Sequence, residues 1–312
     1  MKIPYLTLLC FLAGASSSFA VEGALPRTVS GASVMPYQGL IPPDPGWLVG
    51  VGETFYNGDI GAARPIPIHG NLALDVEGTL SFTPLTLMYI WDTHSECWNF
   101  ASGVTLPLAY VDIEASVTAG PFLGQRSDDK FGLFDIAVTP LIASYHFSKT
   151  DHMSLGLTVW APTGEYEEGA LANLSTNTWT FIPTVAYTKI LPGPNIELTA
   201  QWSLQFYTEN PATDYQDGVV SDLEFTAIKR FQNGFGIGLV GSWMDQLNDD
   251  SGPTADRLNG FSGRAFGVGP IIAYSTKLGE SDFSVNARWV HEFDNENLLE
   301  GDVGMLNLSL KF

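Results

Sequence analysis

The chain has 312 residues, a formal net charge of −20 and a pI near 4.3. That acidity argues against a nucleic-acid partner, which needs a basic surface. Charged residues are 15% of the chain, against about 25% in an average globular domain, and no segment after residue 20 stays apolar for the roughly 18 residues of a membrane-spanning helix.

The opening stretch, MKIPYLTLLCFLAGASSSFA, has a positive residue at Lys2, an apolar run from Ile3 to Gly14 and a small-x-small end at Ser18, Phe19 and Ala20. It reads as a secretory signal peptide over 1–20, removed after Ala20. Bulky Leu9 precedes Cys10 and apolar residues follow it, so the lipoprotein pattern is absent. Beyond residue 20 only Cys97 remains, which excludes an intrachain disulfide. Few charges, 12% aromatics, 32 glycines and a mean hydropathy of only +0.09 fit a transmembrane β-barrel. Each of its strands shows one face to lipid and the other to water.

Residues 21–45 are rich in Pro and Gly and lack a period. They form an N-terminal extension that either plugs the lumen or hangs free in the periplasm. Residues 46–312 read as the barrel: about twelve antiparallel strands near 47–56, 79–91, 98–111, 132–147, 153–161, 178–190, 196–207, 219–231, 235–244, 263–278, 282–293 and 303–312. The breaks alternate in length. Short ones fall at SKTDH (148–152), LPGPN (191–195), QNG (232–234) and GES (279–281). Long ones fall at 57–78, 112–131, 162–177, 208–218, 245–262 and 294–302. An up-and-down meander with short periplasmic turns and long extracellular loops produces this alternation. An even strand count then leaves both termini on the periplasmic side.

The faces of single strands agree. In 196–207, Ile196, Leu198, Ala200, Trp202, Leu204 and Phe206 oppose Glu197, Thr199, Gln201, Ser203, Gln205 and Tyr207. Trp179 and Tyr187 mark the ends of another apolar stripe, roughly 19 Å apart along the membrane normal at a 45° tilt. The last stretch, GDVGMLNLSLKF, alternates Leu306, Leu308, Leu310 and Phe312 with polar residues. Its terminal aromatic resembles the C-terminal sorting signal read by the barrel assembly machinery.

Several stretches go beyond generic patterning: IPPDPGW (41–47), WAPTGEYEEGALANLSTNTWTFIPTVAYT (160–188), ENPATDYQDG (209–218), GLVGSWMDQLNDDSG (238–252), GRAFGVGPIIAYS (263–275) and HEFDNENLLEGD (291–302). The chain resembles the bacterial outer-membrane transporter-like family known as "putative MetA-pathway of phenol degradation". The match is strongest from Trp160 onward and poorest over 57–131. The resemblance implies an outer-membrane barrel of monomeric type, linked to uptake of aromatic or other hydrophobic compounds. It carries over no catalytic residue.

Strand alternation points Asp222, Glu224 and Arg230 inward on one strand, and Asn286, Arg288 and Glu292 on another. They either line a pore or pair with one another to hold the lumen's shape. Twelve strands enclose a bore between the filled interior of about eight and the open channel of sixteen, so a narrow or plugged passage is expected. Trp160 and Tyr207 point inward near the external mouth, where they either offer aromatic surface to a small hydrophobic solute or pack under the loops. The long loops are acidic, with Glu165, Glu167, Asp249, Asp250, Glu300 and Asp302 among others. Such a rim would hold divalent cations against lipopolysaccharide phosphates, repel anionic solutes, or simply be solvated.

No G-x-S-x-G elbow accompanies His291, and the histidines and cysteine show no metal-ligand spacing. The expectation is therefore no enzyme, no metal and no cofactor. Outer-membrane lipids, lipopolysaccharide and the assembly machinery are the expected partners. Two functions stay open: a passive channel for small hydrophobic compounds, aromatic ones among them, or a structural or surface-interaction barrel that works through its acidic loops.

Overall fold

The computed structural model describes residues 26–312 except 62–64, 96, 120–121 and 259. The signal-peptide assignment at 1–20 and residues 21–25 of the extension lie outside the described residues. The described strands are β1 (Gly46–Ile60), β2 (Ile66–Ile68), β3 (Asn71–Ile90), β4 (Trp98–Ala119), β5 (Phe122–Leu133), β6 (Ile136–His146) and β7 (Asp151–Ala161). They continue as β8 (Thr180–Leu191), β9 (Ile196–Tyr207), β10 (Val220–Arg230), β11 (Phe235–Gln246), β12 (Arg264–Leu278), β13 (Ser281–Glu296) and β14 (Glu300–Lys311).

All pairings are antiparallel, and twelve of these strands close into one barrel: β1, β3, β4 and β6 to β14 in order. β1 bonds to β14 on one side and β3 on the other. Trp47 and Phe312 complete the seam, each amide donating to the other's carbonyl at 2.9 Å. The short connections follow β6, β8, β10 and β12 on the periplasmic side, and those after β7, β9 and β11 are long and lie outside. The expected long break at 294–302 is instead mostly strand, since β13 runs to Glu296 and β14 starts at Glu300. Closure leaves the wall without an open sheet edge, which lipid requires.

β2 and β5 stand outside this count, and they change the reading of the early chain. Residues 112–131 were expected to be a loop, yet β4 continues to Ala119 and turns back as β5. Asp112, Glu114 and Ser116 alternate with buried Ile113 and Ala115, so the strand period persists. Its outward residues are polar because this hairpin rises above the apolar belt. Likewise β3 starts at Asn71 rather than near 79. β5 and β6 are one strand broken at Phe134 and Asp135: both pair with β4, β5 along its outer half and β6 along its inner half.

The outward face carries the lipid belt. Leu85, Leu106, Leu155, Leu239 and Ile272 are exposed between two aromatic girdles. Trp243, Phe266 and Phe293 stack at the outer one, while Trp47–Tyr89, Trp98–Tyr145 and Phe235–Tyr274 pair at the inner one. Leu306, Leu308 and Phe312 face outward here, with Leu310 half-buried in the same register. Glu53 is a polar exception on this face, satisfied by Ser81 at 2.7 Å and Thr83 at 2.5 Å.

The core lies inside the barrel. Its external half is filled by Tyr56, Ile66, Ile68, Leu171, Phe261, Leu298 and Leu299. Most of these come from loops that fold inward over the mouth.

Candidate functional site

The lumen is shaped by the chain ahead of β1. Residues 26–45, rich in Pro and without an apolar period, form no strand or helix of their own. Their backbone donors and acceptors must therefore find partners elsewhere, and the polar inner wall supplies them. Arg27 sits at the external end, where its amide donates to the Tyr207 hydroxyl at 3.3 Å. Half-way down, the Val34 amide donates to Glu224 at 2.6 Å, and Arg288 donates to the carbonyls of Gly31 and Val34 at 2.7 and 2.5 Å. Lower still, the Tyr37 amide donates to Glu197 at 2.6 Å, and Ser154 and Ser144 donate to the carbonyls of Gln38 and Gly39. Asn99 reaches the Ile41 carbonyl at the periplasmic end. β1 does begin on the periplasmic side, but the segment before it runs the height of the lumen, so Arg27 lies near the outside.

Gly39 has to be glycine for this close approach: a Cβ there would stand 2.6 Å from the Thr188 amide and 2.7 Å from the His152 carbonyl.

The expected inward residues divide by wall. Asp222 and Glu224 are fully buried on β10, and Arg230 forms an ion pair with Glu197 at 2.5 Å while its guanidinium lies over the Tyr37 ring. Asn286 accepts from Arg288, and Glu292 accepts from the Tyr56 hydroxyl at 3.0 Å. Tyr207 is buried and donates to Gln205 at 2.6 Å. Trp160 alone of the expected set faces the large external cavity.

That cavity holds about 300 Å³ and lies along the opposite wall. Leu80, Phe82, Val111, Ile113, Phe134 and Trp160 give it an apolar lining. Phe82 meets Phe134 edge-on with centroids at 5.6 Å, and Trp160 lies 6.3 Å from each. A second cavity of about 400 Å³ lies below, lined by Leu40, Ile41, Met88, Ile90, Arg230 and Asn286 among others. The threaded segment borders both.

Residues that sequence reasoning missed hold the upper cavity together. Asp135, at the β5–β6 break, pairs with Arg27 at 2.7 Å, and both side chains are buried. The same carboxylate accepts the amides of Thr163 and Gly164 at 2.9 and 3.0 Å. One acid thus ties the threaded segment, the broken strand and the loop after β7. Arg27 is the only base in 21–45, which was the available signal. Nearby His69 also lines the cavity, and burial lowers its pKa to about 4, so it is neutral at pH 7.

The family model described as "Putative MetA-pathway of phenol degradation" matches residues 62–308. The chain belongs to this family. The COG4313 outer membrane channel from Pseudomonas putida F1 has a TM-score of 0.70 at 15% identity, covering 90% of this chain and 100% of that one. A Pseudomonas aeruginosa FadL homologue gives 0.42 at 10% identity, with 95% and 98% covered. The CymD monoaromatic hydrocarbon channel gives 0.40 at 7%, with 95% and 96% covered. No curated protein sequence matches the chain. At these identities the structural likeness is one of fold: the family member described here is a twelve-stranded barrel of the bacterial outer membrane.

Proposed function

We propose that this family member is a passive outer-membrane channel for small hydrophobic compounds, aromatic ones among them. The observation that carries the reading is the apolar cavity bordered by Phe82, Phe134 and Trp160 inside the lumen. Its volume suits a small solute, since ligand pockets begin near about 300 Å³. Burial of apolar surface there releases water at about 25 cal/mol per Å². A wall meant only to be filled has no reason to leave that space lined by rings. The fold shared with an outer membrane channel supports the reading.

In this reading, a solute rests on the ring cluster and passes down beside the threaded segment to the lower cavity. No step requires a nucleophile or a general acid. The test is influx into liposomes carrying the purified barrel. Toluene-sized aromatic solutes should enter faster than a polar solute of equal size, and the preference should fall in Trp160→Ala. Equal influx of both solutes, unchanged by the substitution, would overturn the proposal.

A further inference from the structure

We infer that Arg27, carried by the threaded segment, sets the charge selectivity of the upper cavity, which therefore takes uncharged aromatic or apolar solutes and refuses both ammonium cations and carboxylates. The inference rests on the reading of this cavity as a solute station. A cage of aromatic rings ordinarily attracts cations. Here that seat is filled by the protein itself: the guanidinium lies 5.6 Å from the Phe134 centroid and 5.4 Å from that of Trp160. A solute ammonium would have to displace a group bonded through all three of its nitrogens.

Those bonds also remove Arg27 as a carboxylate receptor. Nη1 donates to Asp135 at 2.7 Å, Nε to Thr180 at 3.2 Å, and Nη2 to Thr176 at 2.5 Å, Thr180 at 3.0 Å and the Thr178 carbonyl at 3.3 Å. Asp135 is itself fully buried, so the pair is closed to solvent as a neutral unit. Among the residues described as lining the cavity, Arg27 is the one with a formal charge, since His69 is neutral. An entering ion would find no unengaged counter-charge, and an ion moved from water without a partner is strongly disfavoured. A neutral ring loses nothing comparable.

Three solutes built on one ring separate the possibilities: toluene, benzoate and benzyltrimethylammonium, each titrated calorimetrically into the full-length barrel in detergent. Wild type should bind toluene, and Trp160→Ala should weaken that binding. Neither ion should bind. Arg27→Ala vacates the cation seat beside Asp135, so benzyltrimethylammonium should bind at least about threefold tighter than to wild type. Asp135→Asn leaves the guanidinium without its carboxylate, so benzoate should gain instead. Heat-modifiable gel migration shows whether each variant is folded, and either variant alone decides the matter. Wild type that binds the ions as well as toluene overturns the inference and leaves the solute station standing. Folded variants that gain neither ion overturn it too. Wild type that binds no toluene removes the station, and the inference with it.

Discussion

On β9, β10 and β13 the inward positions include Glu197, Asp222, Glu224, Arg288 and Glu292, all buried. On β3, β4 and the β5–β6 break they are Leu80, Phe82, Val111, Ile113 and Phe134, which border open space. On the first wall Glu197, Glu224 and Arg288 bond the backbone of residues 26–45. Those five apolar side chains of the second have nothing to offer a backbone and border a cavity. A buried polar wall demands partners, and the threaded segment supplies them to Glu197, Glu224 and Arg288. The polar residues of the lumen thus position the segment, and the apolar ones define the space beside it. A polar side chain pointing into a barrel need not be a pore contact.

The comparison breaks most completely if the segment is removed. Deleting residues 26–45 should leave the polar wall facing water and raise single-channel conductance, since twelve strands enclose a bore between the filled and open cases. Conductance in planar bilayers checks it, with heat-modifiable migration as the control for assembly. Unchanged conductance would mean that the loops over the mouth, not the segment, close the channel.

A smaller effect is expected from one anchor. Arg288→Met removes both bonds to the carbonyls of Gly31 and Val34 and leaves Glu224 buried beside them. Two buried carbonyls then lose their donor, at about 1–3 kcal/mol each, and undocking the segment relieves this by letting water reach them. Frequent openings should appear in single-channel records.

On the apolar wall, Trp160→Ala should act on solutes and not on the segment. Loss of one aromatic contact costs about 0.5–1.5 kcal/mol beyond area, or roughly 2- to 13-fold in affinity. Aromatic influx at low concentration should fall by that factor, while ionic conductance stays near that of wild type. A matching rise in conductance would show that Trp160 also braces the segment, through its contact with Arg27.

Much of this was legible before any coordinates. Period-two alternation from β6 to β14 showed faces and order, because the outward side of those strands meets lipid and is mostly apolar. Trp202, Trp179, Tyr187 and Leu306 lie where alternation put them. The β4–β5 hairpin was not legible, because above the belt both faces of a strand meet water or loops. Asp129 and Asp112 there look like loop residues although they pair across strands. The cavity was legible only through Trp160. Phe82 and Phe134 are brought to it by the long β3 and the strand break, neither of which has a local signature. Arg27 and Asp135 are 108 residues apart, and no periodicity links them.

The gentlest probe concerns the external loops, which cap both walls. Asp250, in the loop after β11, accepts the Gly218 amide at 2.6 Å and Gln246 at 2.5 Å, and is bonded to Tyr215. It therefore staples this loop to the one after β9. Burial, together with nearby Asp217, pushes its pKa up to about 9. The folded loops hold a proton that an unfolded carboxyl, titrating near 3.9, releases. Stability from this group is therefore complete at acid pH, declines as pH rises above that value, and is exhausted near pH 9. Proteolytic nicking between residues 208 and 263 should accelerate between pH 7 and 9.5, with barrel migration unchanged. Asp250→Asn keeps the shape without the titration, so its nicking rate should lose most of that pH dependence. If the variant retains the full wild-type pH dependence, a different group controls the loops, and the cap over the two walls is not fastened at Asp250.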